Sequence, residues 1–74
     1  MNFQDYDLKA GHLVKTLRTD KNIKQADIAN ALDMHPKKYW RIENCKKPLT
    51  VGQLIIIAQV LGMNITELLV EIAE

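Results

Sequence analysis

Features that define several other classes of protein are scarce in this chain of 74 residues. Its single cysteine cannot form a disulfide within the chain, which fits a reducing compartment. No apolar run approaches the roughly 18 residues that a membrane span needs, and the N-terminus lacks the pattern of a secretory signal. We therefore expect a cytoplasmic protein with no membrane-embedded part.

Glycine, proline and aromatic residues are also few, which favours helices over a turn-rich β fold. There are three glycines, two prolines, two tyrosines, one tryptophan and one phenylalanine, while 47% of the residues are hydrophobic. This length leaves room for one core, so we expect a single domain over residues 1–74 with no separate sensing domain.

The residue types that act in catalysis or bind metals are not arranged here in a catalytic or metal-binding pattern. His12, His35 and Cys45 are isolated in the sequence and lack the spacing of metal ligands. No nucleophile lies in a pattern with a base, and no glycine-rich loop could hold a phosphate. The sequence predicts no catalysis, no metal site and no cofactor.

Charge is unevenly distributed along the chain although the net charge is only +1. Residues 1–20 are balanced, residues 21–47 carry seven lysine or arginine residues against three acids, and residues 48–74 carry three glutamates and no cation. A basic centre beside an acidic C-terminal part indicates a localised anion-binding surface. The alternative is that the lysines only solubilise a helical surface.

Apolar spacing predicts five short helices and no strand, an all-α fold. The first is expected over Asp7–Thr19, capped by Asp5 or Asp7, and Asn22 is expected to be left-handed after it. The second covers Gln25–Leu32, and Pro36 opens the third. Thr50 with Gln53, and Asn64 with Glu67, match capping boxes for a fourth helix near Val51 and a fifth near Ile65.

Residues 24–44 are the most informative stretch, because two of these helices are joined there by a tight break at residues 33–35. The second of them carries Lys37, Lys38 and Arg41 near one another. Cations at the start of a helix oppose its dipole, but a phosphate could bind both them and the free N–H groups. A helix pair with a basic second member suits the major groove of DNA.

Residues that identify a protein family occur within this stretch and on both sides of it, at the intervals typical of that family. They are Gly11, Leu17, Arg18, Gln25, Ile28, Ala29, Leu32, Arg41, Ile42, Glu43, Leu54, Ala58, Leu61 and Gly62. From Gly11 to Leu69 the chain resembles the phage-repressor-type (XRE) helix-turn-helix family, with no insertion or deletion. The resemblance implies a compact five-helix, lambda-repressor-like DNA-binding domain.

The same resemblance implies that Arg18 and Glu43 form a partly buried structural ion pair, and that Gln25 contacts a phosphate. Several positions depart from the family. Asp33 and Cys45 stand where glycines are usual, and Lys24 and His35 stand where serine or threonine caps a helix. Pro36 replaces a polar residue that contacts bases in many members.

Candidate DNA contacts follow from the predicted third helix. Lys37 and Arg41, with Pro36 and Trp40, are expected to face base edges, since arginine pairs well with guanine. Phosphate contacts are expected from Lys24, Gln25, Lys38, Asn44, Lys46 and Lys47. Trp40 has three open roles: a contact with a thymine methyl or a sugar, a cover over the space between the third and fourth helices, or a protein-binding anchor.

The fourth and fifth helices contain more apolar residues than one core stripe needs. Leu54, Ile57, Ala58 and Leu61 form that stripe. The surplus suggests a homodimer, with the candidate interface residues Ile56, Val60, Met63, Leu69, Val70 and Ile72. The alternative is a thicker core closed by Phe3 and Tyr6.

The leading hypothesis is a transcriptional regulator that binds a palindromic operator in double-stranded DNA as a homodimer. The competing hypothesis is a protein-interaction module on the same fold, an antagonist or adaptor for a repressor, toxin or enzyme. Pro36 and Trp40 in the reading helix, together with the apolar C-terminal helices, support this second reading.

Overall fold

Five α-helices make up the regular structure of the part of the protein that the structure describes. The computed structural model describes the backbone of residues 3–74 and the side chains of residue 6 and residues 8–74. No strand is found in that part of the chain, which confirms the predicted all-α class. The helices are α1 (Phe3–Asp20), α2 (Gln25–Ala31), α3 (Pro36–Glu43), α4 (Val51–Leu61) and α5 (Ile65–Ala73).

The first helix begins earlier than predicted. Because α1 starts at Phe3, Asp5 and Asp7 lie within its first turns, and neither can be the N-cap residue that the sequence suggested. The local apolar spacing begins only at Leu8, so it gave no signal for these turns. The second helix ends one residue earlier than predicted, with Leu32 as its C-cap.

Side chains that accept backbone N–H groups define where α3, α4 and α5 begin. Thr50 Oγ1 accepts from Gln53 N at 3.1 Å, and Gln53 Oε1 accepts in return from Thr50 N at 3.0 Å. Asn64 and Glu67 form the same reciprocal pair before α5. Both predicted capping boxes are therefore confirmed.

His35 and Lys24, which stand where a hydroxyl residue is usual, differ in how they cap. His35 Nδ1 accepts from Lys37 N at 3.1 Å, so an imidazole nitrogen takes the place of the hydroxyl oxygen. Lys24 has no acceptor in its side chain, and its backbone N–H instead donates to the Asp27 carboxylate at 3.3 Å. The start of α2 therefore has only one of the two hydrogen bonds of a capping box, the one that Asp27 accepts.

The first four helices end in the same way, in a residue with a left-handed backbone. These residues are Asn22 (φ 59°), Asp33 (φ 52°), Cys45 (φ 59°) and Gly62 (φ 72°). After α3, for example, Cys45 N donates to Ile42 O at 3.2 Å and Lys46 N to Arg41 O at 2.8 Å. These two hydrogen bonds together form the Schellman motif, which reverses the chain within a few residues.

Only one of those four residues is glycine, although a side chain disfavours the left-handed region by about 1–2 kcal/mol. Asn22 and Asp33 carry the short polar side chains that tolerate it best. Cys45 has no such advantage, so it is the most strained of the four. The resemblance implied glycine at positions 33 and 45, and the left-handed backbone there is the physical reason for that preference.

All five helices contribute to the core, with α1 packed on α3, α4 and α5 and with α2 packed on α3 and α4. Tyr39, Ile28, Ile42, Ile57 and Leu68 are among its fully buried side chains. The stripe predicted on α4 is confirmed, since Leu54, Ile57, Ala58 and Leu61 are all buried. The α2–α3 pair is thus held by α1, which packs on α3, and by α4, which packs on α2.

The surplus apolar residues are divided between the core and the surface. Val60, Met63 and Ile72 pack against the core and are partly buried, so they offer less free surface than the spacing predicted. Ile56 is half-buried, while Leu69 and Val70 are 47% and 52% exposed. Tyr6 is 41% exposed and does not close the core, and the Phe3 side chain lies outside the described residues.

Gly11 allows α1 to lie directly against the end of α3. A Cβ atom at this position would overlap the carbonyl oxygen of Ile42 and also crowd its side chain. The obstacle is backbone, which cannot rotate away as a flexible side chain would. The close approach of these two helices therefore depends on the missing side chain.

We predict that Gly11→Ala destabilises the fold by about 2–3 kcal/mol, because the added methyl group forces α1 away from α3. The matched control is Gly52→Ala in α4, where a Cβ would meet only Thr50 Oγ1 at 4.0 Å. That change should stabilise by up to about 1 kcal/mol through helix propensity. Urea unfolding of both variants measures the difference, and equal stabilities would contradict this account of Gly11.

Candidate nucleic-acid interface

A buried ion pair holds α3 in place beneath its exposed surface. Arg18 Nε donates to Glu43 Oε2 at 2.8 Å, and Arg18 Nη2 donates to Glu43 Oε1 at 3.0 Å. Glu43 is 1% exposed and Arg18 is 8% exposed. The pair that the family resemblance implied is therefore present, in the two-pronged geometry that makes arginine–carboxylate contacts strong.

Two further groups complete this cluster and extend it to the start of α2. Gln25 Nε2 donates to Glu43 Oε1 at 2.9 Å, and Arg18 Nη1 donates to the carbonyl of Ile23 at 2.7 Å. Gln25 was predicted as a phosphate contact, and the structure assigns one of its amide protons to Glu43. Sequence reasoning missed this link, because nothing in the spacing relates residues 25 and 43.

The pKa values of the cluster show that its charges stabilise each other. Burial alone would raise the pKa of Glu43, but hydrogen bonds from Arg18 and Gln25 outweigh it and the pKa is lowered. The hydrogen bond to Glu43 raises the pKa of Arg18 in turn. Both groups therefore stay charged in the folded protein at neutral pH.

Tyr39 lies beside the same carboxylate from within α3. Burial raises the pKa of Tyr39 above its ordinary value, and the nearby Glu43 adds to the increase. Its hydroxyl makes no hydrogen bond of standard geometry with the residues that the structure describes. Tyr39 therefore acts as a neutral core residue, linked to Glu43 by proximity.

The opposite side of α3 faces outward and carries most of the predicted base-reading residues. Pro36, Lys37, Lys38, Trp40 and Arg41 are all exposed. Tyr39, Ile42 and Glu43 on the inner side are buried. The third helix therefore presents one continuous free face, as the sequence predicted.

Three cations from two different elements meet at one side of this face. The pKa of Lys47 is lowered, chiefly by the positive charge of Lys38 and further by that of Arg41. Lys47 follows α3 in the connection to α4, whose chain reversal at Cys45 returns it toward the helix. We name Lys38, Arg41 and Lys47 the cation cluster, a grouping that sequence spacing alone did not reveal.

The remaining predicted phosphate contacts lie around the ends of α2 and α3. Lys24 is exposed immediately before α2, and Lys46 is exposed beside Lys47. Asn44 is half-buried at the end of α3, and its Nδ2 donates to the carbonyl of Trp40 at 2.9 Å. The lysines are thus available to a ligand, while Asn44 is partly engaged in ending the helix.

Trp40 is half exposed, with 50% of its surface accessible, and it is not among the residues packed against the core. The alternative in which it covers the space between α3 and α4 therefore finds no support. Its place is on the free face of α3, beside Lys37 and Arg41. A contact with DNA and a contact with a protein partner are the two roles that this placement allows.

The described residues contain neither a metal-binding cluster nor a single membrane-spanning helix. No group of three or more His, Cys, Asp or Glu side chains lies close enough there to hold a metal ion. No single described helix is long and apolar enough to cross a membrane. Only the bent pair α4 and α5, at 109° to each other, reaches that length and apolarity when the two are taken together.

Comparison with known families agrees with this geometry. A family model described as a helix-turn-helix domain matches residues 9–69. The chain belongs to the helix-turn-helix family. The matched range includes α2, α3 and the capped helices that follow, so the family predicted from the sequence is confirmed.

Two relatives of this helix-turn-helix chain are regulators by name. Over 56 residues it is 36% identical to the HTH-type transcriptional regulator RamB of Mycobacterium tuberculosis, an alignment that covers 76% of this chain and 12% of RamB. The crystal structure of the clp gene regulator ClgR from Corynebacterium glutamicum is similar with a TM-score of 0.79 and 22% identity. That match covers 92% of this chain and 71% of ClgR, and it supports the fold alone.

The ion pair gives this helix-turn-helix domain a defined pH dependence. Because the pKa of Glu43 is lowered in the folded state, its stabilisation is complete above the unfolded pKa of about 4.3 and is lost as the pH falls below it. Glu43→Gln should cost about 3–5 kcal/mol at pH 7, since Arg18 is left uncompensated. The difference in the free energy of unfolding between the wild type and Glu43→Gln should therefore decrease as the pH falls.

Urea unfolding from pH 7 to pH 3 measures this gap directly. The control is Glu71→Gln, an exposed carboxylate on α5, which should follow the wild type at every pH. A gap between wild type and Glu43→Gln that stays constant over this range would contradict the assigned role of Glu43.

Proposed function

We propose that this domain binds double-stranded DNA in transcription regulation, with α3 in the major groove. The single observation that carries the proposal is the free face of α3, which holds Lys37, Lys38 and Arg41 and has Lys47 beside it. The helix itself is fixed by a buried ion pair. A rigid helix with a basic outer face suits a groove lined by phosphates. The family membership and the regulatory names of the relatives support the same function.

The electrostatics of the cation cluster support a polyanionic ligand. The positive charges of Lys38 and Arg41 lie close enough to Lys47 to lower its pKa, so like charges repel at this place in the free protein. A phosphate placed among them would turn this repulsion into attraction. Fold stability gives no reason to gather three cations there, so their arrangement is best explained by a ligand.

Within this proposal the exposed residues have two kinds of role. Lys37 and Arg41, with Pro36 and Trp40, face base edges, where arginine pairs with guanine O6 and N7. The phosphate contacts set the position of the domain and carry no sequence information. They are Lys24, Gln25, Lys38, Asn44, Lys46 and Lys47. For Gln25 the remaining amide proton is the one available.

Selection of bound DNA from a random pool, followed by affinity measurements on the recovered sequence, tests the proposal. If each subunit neutralises about 3–4 phosphates, the logarithm of the affinity of a dimer should fall with that of the salt concentration with a slope of roughly −6. Lys47→Ala should weaken binding to all sequences and reduce the slope, whereas Arg41→Ala should cost about 1–3 kcal/mol of sequence discrimination.

Lys15→Ala is the matched control, because this lysine is exposed on α1 and is not part of the α3 surface. It should change neither the slope nor the selected sequence. No enrichment of any sequence together with a slope near zero would overturn the proposal.

The domain is further proposed to act as a homodimer on a palindromic operator. Leu69 and Val70 on α5, with Ile55 on α4, remain 43–52% exposed in the single chain. Exposed apolar side chains on a domain of this size favour association, and a two-fold dimer would bring two reading helices to half-sites about one DNA turn apart. The sequence had not singled out Ile55.

Val70→Glu should dissociate such a dimer, because a two-fold interface would bring the new charge into a surface already apolar in both copies. Sedimentation equilibrium measures the mass with and without DNA. Val51→Glu is the matched control, since Val51 is 70% exposed at the start of α4, where an acidic side chain suits the helix dipole. A wild-type protein that stays monomeric and binds one half-site would contradict the dimer.

The exposed indole of Trp40 favours a second candidate function, a protein-interaction module that acts on a repressor, toxin or enzyme. Pull-down from host lysate with and without nuclease separates the two functions. Recovery of one protein partner, unaffected by nuclease and by Lys37→Ala with Arg41→Ala, would favour this candidate over DNA binding.

A further inference from the structure

The free face of α3 is divided into an apolar edge and a cationic edge. A helix turns by about 100° per residue, so Pro36 and Trp40 lie on one line along it, and Lys37 and Arg41 lie on the next. Lys38, about 200° from Pro36, lies on the far side. The meeting of Lys38 with Arg41 and Lys47 marks that far side as the cationic edge.

The apolar edge lies toward the start of α2. Glu43, three residues beyond Trp40, lies about 60° away around the helix and so borders the apolar edge from the buried side. Its carboxylate there accepts a hydrogen bond from Gln25 at the first position of α2. Lys24 is exposed just before Gln25. Trp40 therefore stands between one group of polar and cationic side chains, at the start of α2, and another, formed by Lys38 and Lys47 at the cationic edge.

This placement decides which part of DNA Trp40 would meet. Phosphates form the two walls of the major groove, and groups that bind them sit at the flanks of a reading helix. A side chain between two such flanks faces the base edges. The apolar group that base pairs present in the major groove is the 5-methyl of thymine.

We propose that Trp40, with Pro36 beside it, packs on the 5-methyl group of a thymine and thereby specifies a T·A pair in each half-site. The inference rests on the proposed DNA binding and goes beyond it by naming the group that is read. Trp40 is exposed by 50% in the free protein, so the contact removes water from indole surface and from the methyl group together. The neighbouring Lys37 and Arg41 bind the adjacent polar edges.

Removal of single methyl groups tests the contact without changing any base pair. Each thymine of the selected half-site is replaced in turn by deoxyuridine, and the affinity is measured by fluorescence anisotropy on end-labelled duplexes. The wild type should bind about fourfold more weakly at one position, the effect expected for one buried carbon group. Trp40→Ala should bind the thymine and uracil duplexes equally.

Two variants serve as controls. Trp40→Phe keeps an apolar ring and should retain part of the preference for thymine. Tyr6→Ala removes another exposed aromatic side chain, on α1, and should retain all of it. If Trp40→Ala binds too weakly at ordinary salt, low salt raises its affinity through the phosphate contacts and permits the same ratio to be measured.

The outcomes separate this inference from the proposed function. DNA binding with no methyl-sensitive position, or a methyl preference that survives Trp40→Ala, overturns the role of Trp40 and leaves the proposed function standing. A protein partner lost on Trp40→Ala, with the methyl preference unchanged, also overturns it. Failure to bind any DNA overturns both.

Discussion

The buried pair of Arg18 and Glu43 is the contact on which the rest of the structure depends. Its carboxylate is the point where α1, α2 and α3 are joined, through Arg18, Gln25 and its own helix. An isolated buried charge would cost far more than an ordinary unpaired polar group. The three helices must therefore keep the one arrangement that satisfies both charges, and α3 is held at a fixed angle with its opposite face free.

Because the helices are short and end abruptly, the candidate DNA-contact residues lie close together around the Arg18–Glu43 pair. The chain reverses after α3 at Cys45 and brings Lys47 to Lys38 and Arg41. The gathered cations repel one another, so the cluster is less stable without a counter-charge than with one. Rigidity from the ion pair and the need for a ligand among these cations together favour recognition of a regularly spaced polyanion. The strained left-handed backbone at Cys45 thus contributes to this surface by reversing the chain.

Much of the fold could be predicted because its determinants are local. Capping boxes at Thr50 and Asn64, proline at the first position of α3 and the α4 stripe each follow from residues a few positions apart. Predictions failed or stayed incomplete where distant residues decide. The burial of Val60, Met63 and Ile72 and the hydrogen bond of Gln25 to Glu43 depend on neighbours from other helices.

The sequence by itself determined five helices, the capping boxes of α4 and α5, the helix-turn-helix frame and the basic character of α3, since hydrophobic period and capping chemistry act over single turns. Only the tertiary structure decided which cations share one edge, that Trp40 is outside the core, and which apolar residues of α4 and α5 remain free. The physical reason is that exposure and electrostatic proximity are properties of packed neighbours, and packing joins residues that the chain order keeps apart.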